Sequence, residues 1–211
     1  MAPARHSTKP ERQELGAAGV WHHPRPVWGL GAIFFYVGAE ISVGSFLINY
    51  LTSPSVVVIS HADAAIYVTL FWGRAMTGRF IGAGVMREIA PARVLAVVAI
   101  GAGALLATTI LTTGWVALWS VVLVGLMNSI MFPTIFTLAI EGLGKLTARG
   151  SALLIMAIAG GALLPVLQGV VADRFGIRIA FVLPLLSYVC VLHFARLCGR
   201  FPVGAARAVA A

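Results

Sequence analysis

The sequence predicts an all-α integral membrane protein with six transmembrane helices. Hydrophobic residues make up 60% of its 211 residues and charged residues only 10%, whereas a soluble domain carries about a quarter charged residues to keep its surface in water. Six apolar segments each reach the roughly 20 residues with which a helix crosses the hydrocarbon core of a bilayer. These segments, numbered one to six, cover residues 27–51, 62–86, 91–111, 115–140, 148–172 and 179–197.

The distribution of Lys and Arg predicts how these helices are oriented. Eleven of the 15 basic residues lie before segment one, at or after the end of segment six, or at and between the facing ends of segments two and three and of segments four and five: Arg5, Lys9, Arg12, Arg25, Arg87, Arg93, Lys145, Arg149, Arg196, Arg200 and Arg207. Two others, Arg174 and Arg178, lie between segments five and six, on the opposite side. By the positive-inside rule, both termini then lie in the cytoplasm. This arrangement accounts for the net charge of +8 without a nucleic-acid partner.

The segments divide the chain into three parts. Residues 1–26 form a basic cytoplasmic arm, residues 27–198 a transmembrane domain and residues 199–211 a cytoplasmic tail. The loops between segments have about 5 to 12 residues, which leaves no room for a separate soluble domain.

Segment one carries a glutamate, Glu40, near its midpoint. An ionisable residue inside a membrane span is expensive to bury, and by default it marks a functional or structural polar site. Tyr36 lies four residues before Glu40 and shares its face of the helix. Asn49 lies further along the same segment. Tyr36, Glu40 and Asn49 are therefore candidates for the lining of a polar cavity.

Segment two carries two arginines, Arg74 and Arg79, inside the predicted membrane core. At about 1.5 Å per residue, Glu40 lies roughly 20 Å from the cytoplasmic end of its segment, Arg74 roughly 18 Å and Arg79 roughly 10 Å. Depth therefore favours Arg74 over Arg79 as the ion-pair partner of Glu40. Such a pair either lines a site or only joins two helices. Trp72 is a further cavity candidate, or else a buried anchor.

Segments four and five each contain a proline next to a polar residue. Pro133 and Pro165 each remove one helical hydrogen bond and free a carbonyl, so both helices are expected to kink. Asn128 and Gln168 lie within one turn of these kinks. Broken helices that line a cavity are the usual architecture of secondary transporters.

Asn128 and Phe132 share one face of segment four. An amide beside an aromatic ring suits a sugar, because the sugar offers hydroxyls for hydrogen bonds and C–H faces for stacking. For each candidate taken singly, packing in the helix core is the alternative interpretation.

A short motif recurs at the ends of segments two and five, where Arg-Phe is followed by Gly. It covers residues 79–82 near the end of segment two and residues 174–176 directly after segment five. The two copies would lie on opposite sides of the membrane, as in a 3+3 inverted repeat.

No pattern of an enzyme, a metal site or a cofactor site is present in the sequence. There is no Walker-type phosphate loop and no metal-ligand spacing of Cys and His. The two cysteines, Cys190 and Cys198, lie on segment six and are expected to be packed thiols. We therefore expect a protein without enzymatic activity, metal or cofactor.

Three long strings resemble one transporter family. They are GAIFFYVGAEISVGSFLINY at 31–50, FWGRAMTGRF at 71–80 and NSIMFPTIFTLAIEG at 128–142, and the stretch 160–173 fits as well. Together they resemble the fucose and glucose/galactose permeases, a sugar:proton symporter branch of the major facilitator superfamily. The resemblance covers about residues 22–198 and corresponds to the last six of that family's twelve helices. It therefore implies one half of a major facilitator fold.

The resemblance also implies a site and its ligands. It gives a cavity role to Glu40, Asn49, Asn128, Phe132 and Gln168, while Arg79 fits the family's Gly-Arg-Phe string and Arg74 stands where a small residue is expected. The implied partners are a monosaccharide, protons, the lipid bilayer of the bacterial inner membrane, and a first-half permease chain or a second copy.

Two functions follow as expectations. In the first, the chain is the C-terminal half of a proton-coupled monosaccharide permease of the fucose, glucose or galactose type, and it needs a first half. In the alternative, it is a self-associating six-helix channel or scaffold, or a truncated permease without function.

Overall fold

Long apolar runs fold into helices throughout residues 17–200, the part of the chain that the computed structural model describes. The α-helices are α1 (Ala17–Val20), α2 (Pro24–Leu51), α3 (His61–Glu88), α4 (Pro91–Leu111), α5 (Gly114–Asn128), α6 (Met131–Ile140), α7 (Thr147–Met156), α8 (Gly160–Phe175), α9 (Ile177–Ala180) and α10 (Val182–Arg200). Single 3₁₀ turns precede α7, at Gly144–Leu146, and α8, at Ala157–Ala159. Residues 1–16 of the predicted arm and 201–211 of the predicted tail lie outside the described residues.

Each predicted segment falls largely on α-helix, although segments four, five and six are interrupted at residues 129–130, 157–159 and 181. The helix ends show what fixes the bounds. Segment three corresponds to α4 with the predicted bounds, because Pro91 suits the first helical position, where an N–H is not needed. Segment one starts earlier than predicted, at Pro24, since the polar first turn of α2 does not count as apolar. At the start of α3, Ser60 accepts a hydrogen bond from the backbone N–H of Asp63 and caps the helix.

Five helical stretches are long and apolar enough to cross a membrane. They are Pro24–Leu51, Pro91–Leu111, Gly114–Ile140, Gly144–Phe175 and Ile177–Arg200. The 28-residue helix α3 is not among them, because Arg74 and Arg79 lie in its middle. The described chain is thus an all-helical membrane protein, while a sixth crossing by α3 and the inverted repeat stay predictions.

Helix α2 lies at the centre of the bundle and packs against α6, α8 and α10. Its contact with α8 is close: a Cβ added at Gly160 would overlap the backbone of Phe34, and one at Gly38 would press on Leu164. The residue numbers rise together along the two helices, from Phe34 with Gly160 to Gly38 with Leu164. Helices α2 and α8 therefore run parallel. Helix α3 packs mainly on α5, where Gly125 leaves room for the backbone of Phe71 on α3.

Hydrogen bonds tie the helix ends on one side of the bundle. Where α2 and α4 end, the Tyr50 hydroxyl donates to the carbonyl of Thr109 at 2.6 Å, and Arg178 donates to the carbonyl of Ile110 at 2.6 Å. On the other side, Arg25 at the start of α2 forms an ion pair with Glu141 after α6, with Nη1 and Oε2 2.7 Å apart. The contacts of Tyr50 and Arg25 thus join α2 to its neighbours at both of its ends.

Candidate functional site

Three helices meet at Asn128, the last residue of α5. Its side chain is 1% exposed. The side-chain oxygen Oδ1 accepts a hydrogen bond from the Tyr188 hydroxyl on α10 at 2.6 Å. The main-chain carbonyl accepts one from the Tyr36 hydroxyl on α2 at 3.0 Å. Asn128 therefore links α2, α5 and α10 through polar contacts in the bundle interior.

The chain leaves the helix at this point for a local reason. Helix α5 ends at Asn128 and α6 begins at Met131. The last carbonyls of a helix have no donor within it, and Pro133 has no N–H for the carbonyl one turn before it. The Tyr36 hydroxyl supplies the donor that the Asn128 carbonyl would otherwise lack, so a membrane-buried helix end is satisfied by a side chain.

The amide nitrogen of Asn128 takes part in neither of these hydrogen bonds. Its Nδ2 is buried and has no hydrogen-bond partner within residues 17–200. A buried donor without a partner is destabilising by about 1–3 kcal/mol. A bound water or a ligand oxygen that accepts from Nδ2 would remove this penalty, which makes the amide a candidate contact.

Glu40 lies one turn along α2 from Tyr36, beside the same cluster. Its side chain is half-buried, and Tyr36 on the same face of the helix binds the Asn128 carbonyl. We call the four side chains Tyr36, Glu40, Asn128 and Tyr188 the polar cluster.

The two arginines of α3, Arg74 and Arg79, are the predicted ion-pair partners of Glu40. In the described part of the chain, Glu40 forms no ion pair within 4.0 Å, and the guanidinium of Arg74 lies 5.0 Å from the ring centroid of Trp119 on α5. Arg74 Nη1 is buried without a hydrogen-bond partner. Five residues of helix turn Arg79 about 140° away from Arg74, and Arg79 is exposed. The two arginines therefore lie on different faces of α3, and an ion pair of Glu40 with either of them stays a prediction.

Three other predicted residues lie around or beyond the cluster. Trp72 is partly exposed and lies against Gly44 of α2, so it lines the contact between α2 and α3. Phe132 is half-buried and stacks on Phe136 at 6.1 Å between ring centroids. Asn49 is exposed, two turns beyond Glu40 on α2. The structure does not bring Asn49 to the cluster.

Gln168 lies in a second buried polar position, on α8. It is 0% exposed, and neither end of its amide has a partner among the described residues. The α2–α8 contact pairs Phe34 with Gly160, and four residues further it pairs Gly38 with Leu164. Another four residues along both helices lead to Ser42 on α2 and Gln168 on α8, which therefore lie at the same level of this contact. The Ser42 hydroxyl is likewise fully buried and without a partner. Gln168 thus lies within a helix contact rather than in an open cavity.

Tyr188 is the member of the cluster that the sequence prediction missed. A signal was present, because a phenol hydroxyl inside an apolar span needs a hydrogen-bond partner. Tyr188 and Tyr50 both show this, since each is buried and each donates at 2.6 Å. Counting tyrosines within predicted spans would have found both.

The cluster offers hydrogen-bond donors and acceptors rather than metal ligands. In residues 17–200, no three His, Cys, Asp or Glu side chains lie close enough together to hold a metal ion. Amide, phenol and carboxylate groups within an apolar bundle are suited to a small hydroxylated ligand, whose orientation they would fix.

Relatives of the chain are sugar transporters. It is 48% identical over 186 residues to the glucose/galactose transporter of Brucella abortus biovar 1 (strain 9-941), a match that covers 88% of this chain and 45% of that protein. It is 35% identical over 170 residues to the L-fucose-proton symporter of Escherichia coli (strain K12), which covers 80% of this chain and 39% of the symporter. No family model matches the chain.

The fold agrees with these relatives. A crystal structure of FucP, a major facilitator superfamily transporter in the outward conformation, superimposes with a TM-score of 0.84 and 31% identity, over 93% of this chain and 49% of FucP. The chain thus spans about half the length of the proteins it matches, and these are transporters, not enzymes. The family resemblance is confirmed: this chain is a half-length homologue of the bacterial glucose/galactose and fucose transporters, with the fold of part of a major facilitator superfamily transporter.

Proposed function

We propose that this chain is the C-terminal half of a proton-coupled monosaccharide permease of the fucose, glucose or galactose type. The names of its relatives and their double length support this proposal. It would act in the bacterial inner membrane, surrounded by lipid, and together with a first half supplied by another chain.

The proposed topology has six crossings, with α3 as the second, in a 3+3 inverted repeat. The 28 residues of α3 suffice to span a bilayer, and the helix packs along α5, which is itself apolar. Basic residues in the loops after α3 and α6 support cytoplasmic termini. Residues 27–198 would then form the transmembrane domain, with the arm and the tail in the cytoplasm.

One observation carries the proposal: inside an apolar bundle, the buried amide donor of Asn128 has no partner among the described residues. The Glu40 carboxylate lies one turn of α2 from Tyr36, which binds the same asparagine. A sugar hydroxyl both donates and accepts, so it can accept from Asn128 Nδ2 while it donates to Glu40. The rings of Trp72 and Phe132 would stack on the C–H faces of the sugar. Asn49 and Gln168 are proposed as further contacts of the same path.

Glu40 is the proposed site of the transported proton. A carboxylate in the membrane interior binds a proton readily, because protonation removes the charge. Arg79, on the neighbouring helix α3, would compensate the charge when Glu40 is ionised. Sugar and proton would then bind to neighbouring groups and could move together.

The partner is proposed from the exposed faces of α3 and α8. Met76 and Phe80 on α3 are 64% and 74% exposed, and Val166 on α8 is 66% exposed. A first-half permease chain would cover these faces. A second copy of the chain is the alternative, as a homodimeric transporter, channel or scaffold, and a truncated permease without activity is the remaining one.

The test is uptake of labelled fucose, galactose and glucose into vesicles with an imposed pH gradient. Vesicles would hold the chain alone or together with the first half of a homologous permease, each with a Glu40→Gln control. Saturable uptake that requires the first half and is lost in Glu40→Gln supports the proposal. Uptake by the chain alone supports the homodimer. If no sugar is transported or bound in either setting by a folded, inserted chain, the proposed function is wrong.

A further inference from the structure

The contact between Tyr188 and Asn128 fixes more than a helix position. Tyr188 is 1% exposed, and its hydroxyl lies 2.6 Å from Asn128 Oδ1. A phenol carries one proton, and here that proton is donated to the amide oxygen. The oxygen end of the amide is therefore held toward α10.

The other end of the amide is consequently a donor. With Oδ1 held by Tyr188, the NH₂ group of Asn128 is not the end that contacts Tyr188, and it is buried without a partner in the described chain. The backbone at this residue is held separately, because Tyr36 donates to its carbonyl. Rotation of the terminal amide is thus restrained by the Tyr188 hydroxyl, and a half-turn would exchange donor and acceptor.

We infer that Tyr188 is a positioning residue that orients the Asn128 amide so that it presents a hydrogen-bond donor to the ligand. The site then selects a ligand with an acceptor oxygen at this position. That the ligand is a sugar rests on the proposed function. The role of Tyr188 is separate from it, because the hydroxyl is directed at the amide and not at the ligand.

The inference can be tested with galactose analogues that differ at one hydroxyl. A deoxyfluoro analogue keeps a weak acceptor and loses the donor, whereas a deoxy analogue loses both. We expect the purified chain in nanodiscs, with the first half added if binding requires it, to bind the fluoro analogue more tightly than the deoxy analogue at one ring position. In Tyr188→Phe, the amide is free to turn, so this preference should shrink toward one and galactose affinity should fall about fivefold, the factor of a single neutral hydrogen bond.

Tyr50→Phe is a matched control. Tyr50 is also fully buried in a helix of the bundle, and it also donates at 2.6 Å, but to the carbonyl of Thr109 rather than to Asn128. Its loss should lower thermal stability without changing the ratio between fluoro and deoxy analogues. In an Asn128→Ala background, Tyr188→Phe should have no further effect on binding.

Two results would overturn the inference. One is an unchanged analogue ratio in Tyr188→Phe, and the other is an equal change in Tyr50→Phe. If the wild-type chain binds no sugar at all, the proposed function fails. The thermal stabilities of Tyr188→Phe, Asn128→Ala and the double variant then test whether Tyr188 orients the Asn128 amide. Non-additive losses support the oriented amide, whereas additive losses exclude it.

Discussion

Replacement of Gly160 by alanine should separate α2 from α8. The added Cβ would overlap the carbonyl oxygen, carbonyl carbon and Cα of Phe34. These are backbone atoms and cannot rotate away, so the two helices must move apart. Such overpacking is destabilising by typically about 1–3 kcal/mol.

Alanine also has a favourable effect at this position, and the two must be compared. Gly160 has helical backbone angles, φ −54° and ψ −33°, which alanine adopts without strain. Exchange of glycine for alanine within a helix is favourable by roughly 0.5–1 kcal/mol. The overlap outweighs this gain, so we expect a net loss of roughly 1–2 kcal/mol.

The assay is thermal unfolding of the purified chain in detergent, with Gly73→Ala as the control. Gly73 lies in α3, and a Cβ added there would meet no heavy atom from another part of the described chain within 4 Å. A loss of 1 kcal/mol corresponds to a fall in Tm of about 2–4 °C for a chain of this size, so Gly160→Ala should melt several degrees lower. Gly73→Ala should melt at or slightly above the wild-type temperature. Equal melting temperatures for wild type and Gly160→Ala would refute the close approach of α2 and α8.

Three further changes test other contacts. Tyr36→Phe removes the donor to the carbonyl that ends α5 and should lower the free energy of unfolding by about 1 kcal/mol in the same melting assay; no change would mean that water replaces it. Glu141→Gln breaks a partly exposed ion pair with Arg25, so it should lower stability by under about 1 kcal/mol, and the effect should vanish in concentrated salt; a larger, salt-independent loss would contradict this. Trp119→Leu should lower stability by about 0.5–2 kcal/mol through loss of the cation–π contact, and by clearly less in an Arg74→Met background; equal losses in both backgrounds would exclude that contact.

The helices could be predicted from the sequence because the membrane imposes simple rules. A span needs about 20 apolar residues, and prolines such as Pro91 mark helix starts. Loop positions followed from the polar residues between segments. The exact ends of α2 and α10 could not be predicted this way, because interfacial residues such as Arg25 and Arg200 continue a helix without adding to its apolar character.

The candidate site was less predictable, since it depends on which way side chains point across helices. Glu40 and Asn128 could be selected as polar residues in apolar spans. Their neighbours could not be selected by depth, which favoured Arg74, whereas the structure turns Arg74 toward Trp119. Tyr188 belongs to the last helix, and only the packing of α10 against α2 and α4 brings it to Asn128.

The hydrogen bonds that tie the end of α2 to α4, and Arg178 to the end of α4, have a mechanical consequence. To splay these ends apart would leave the carbonyls of Thr109 and Ile110 without donors in an apolar medium, a change that is strongly unfavourable. We therefore expect the bundle to tilt as one rigid body, in which α2, α4 and Arg178 move together and these helix ends do not separate. A partner chain on the exposed faces of α3 and α8 would then move relative to the whole bundle and not relative to single helices within it.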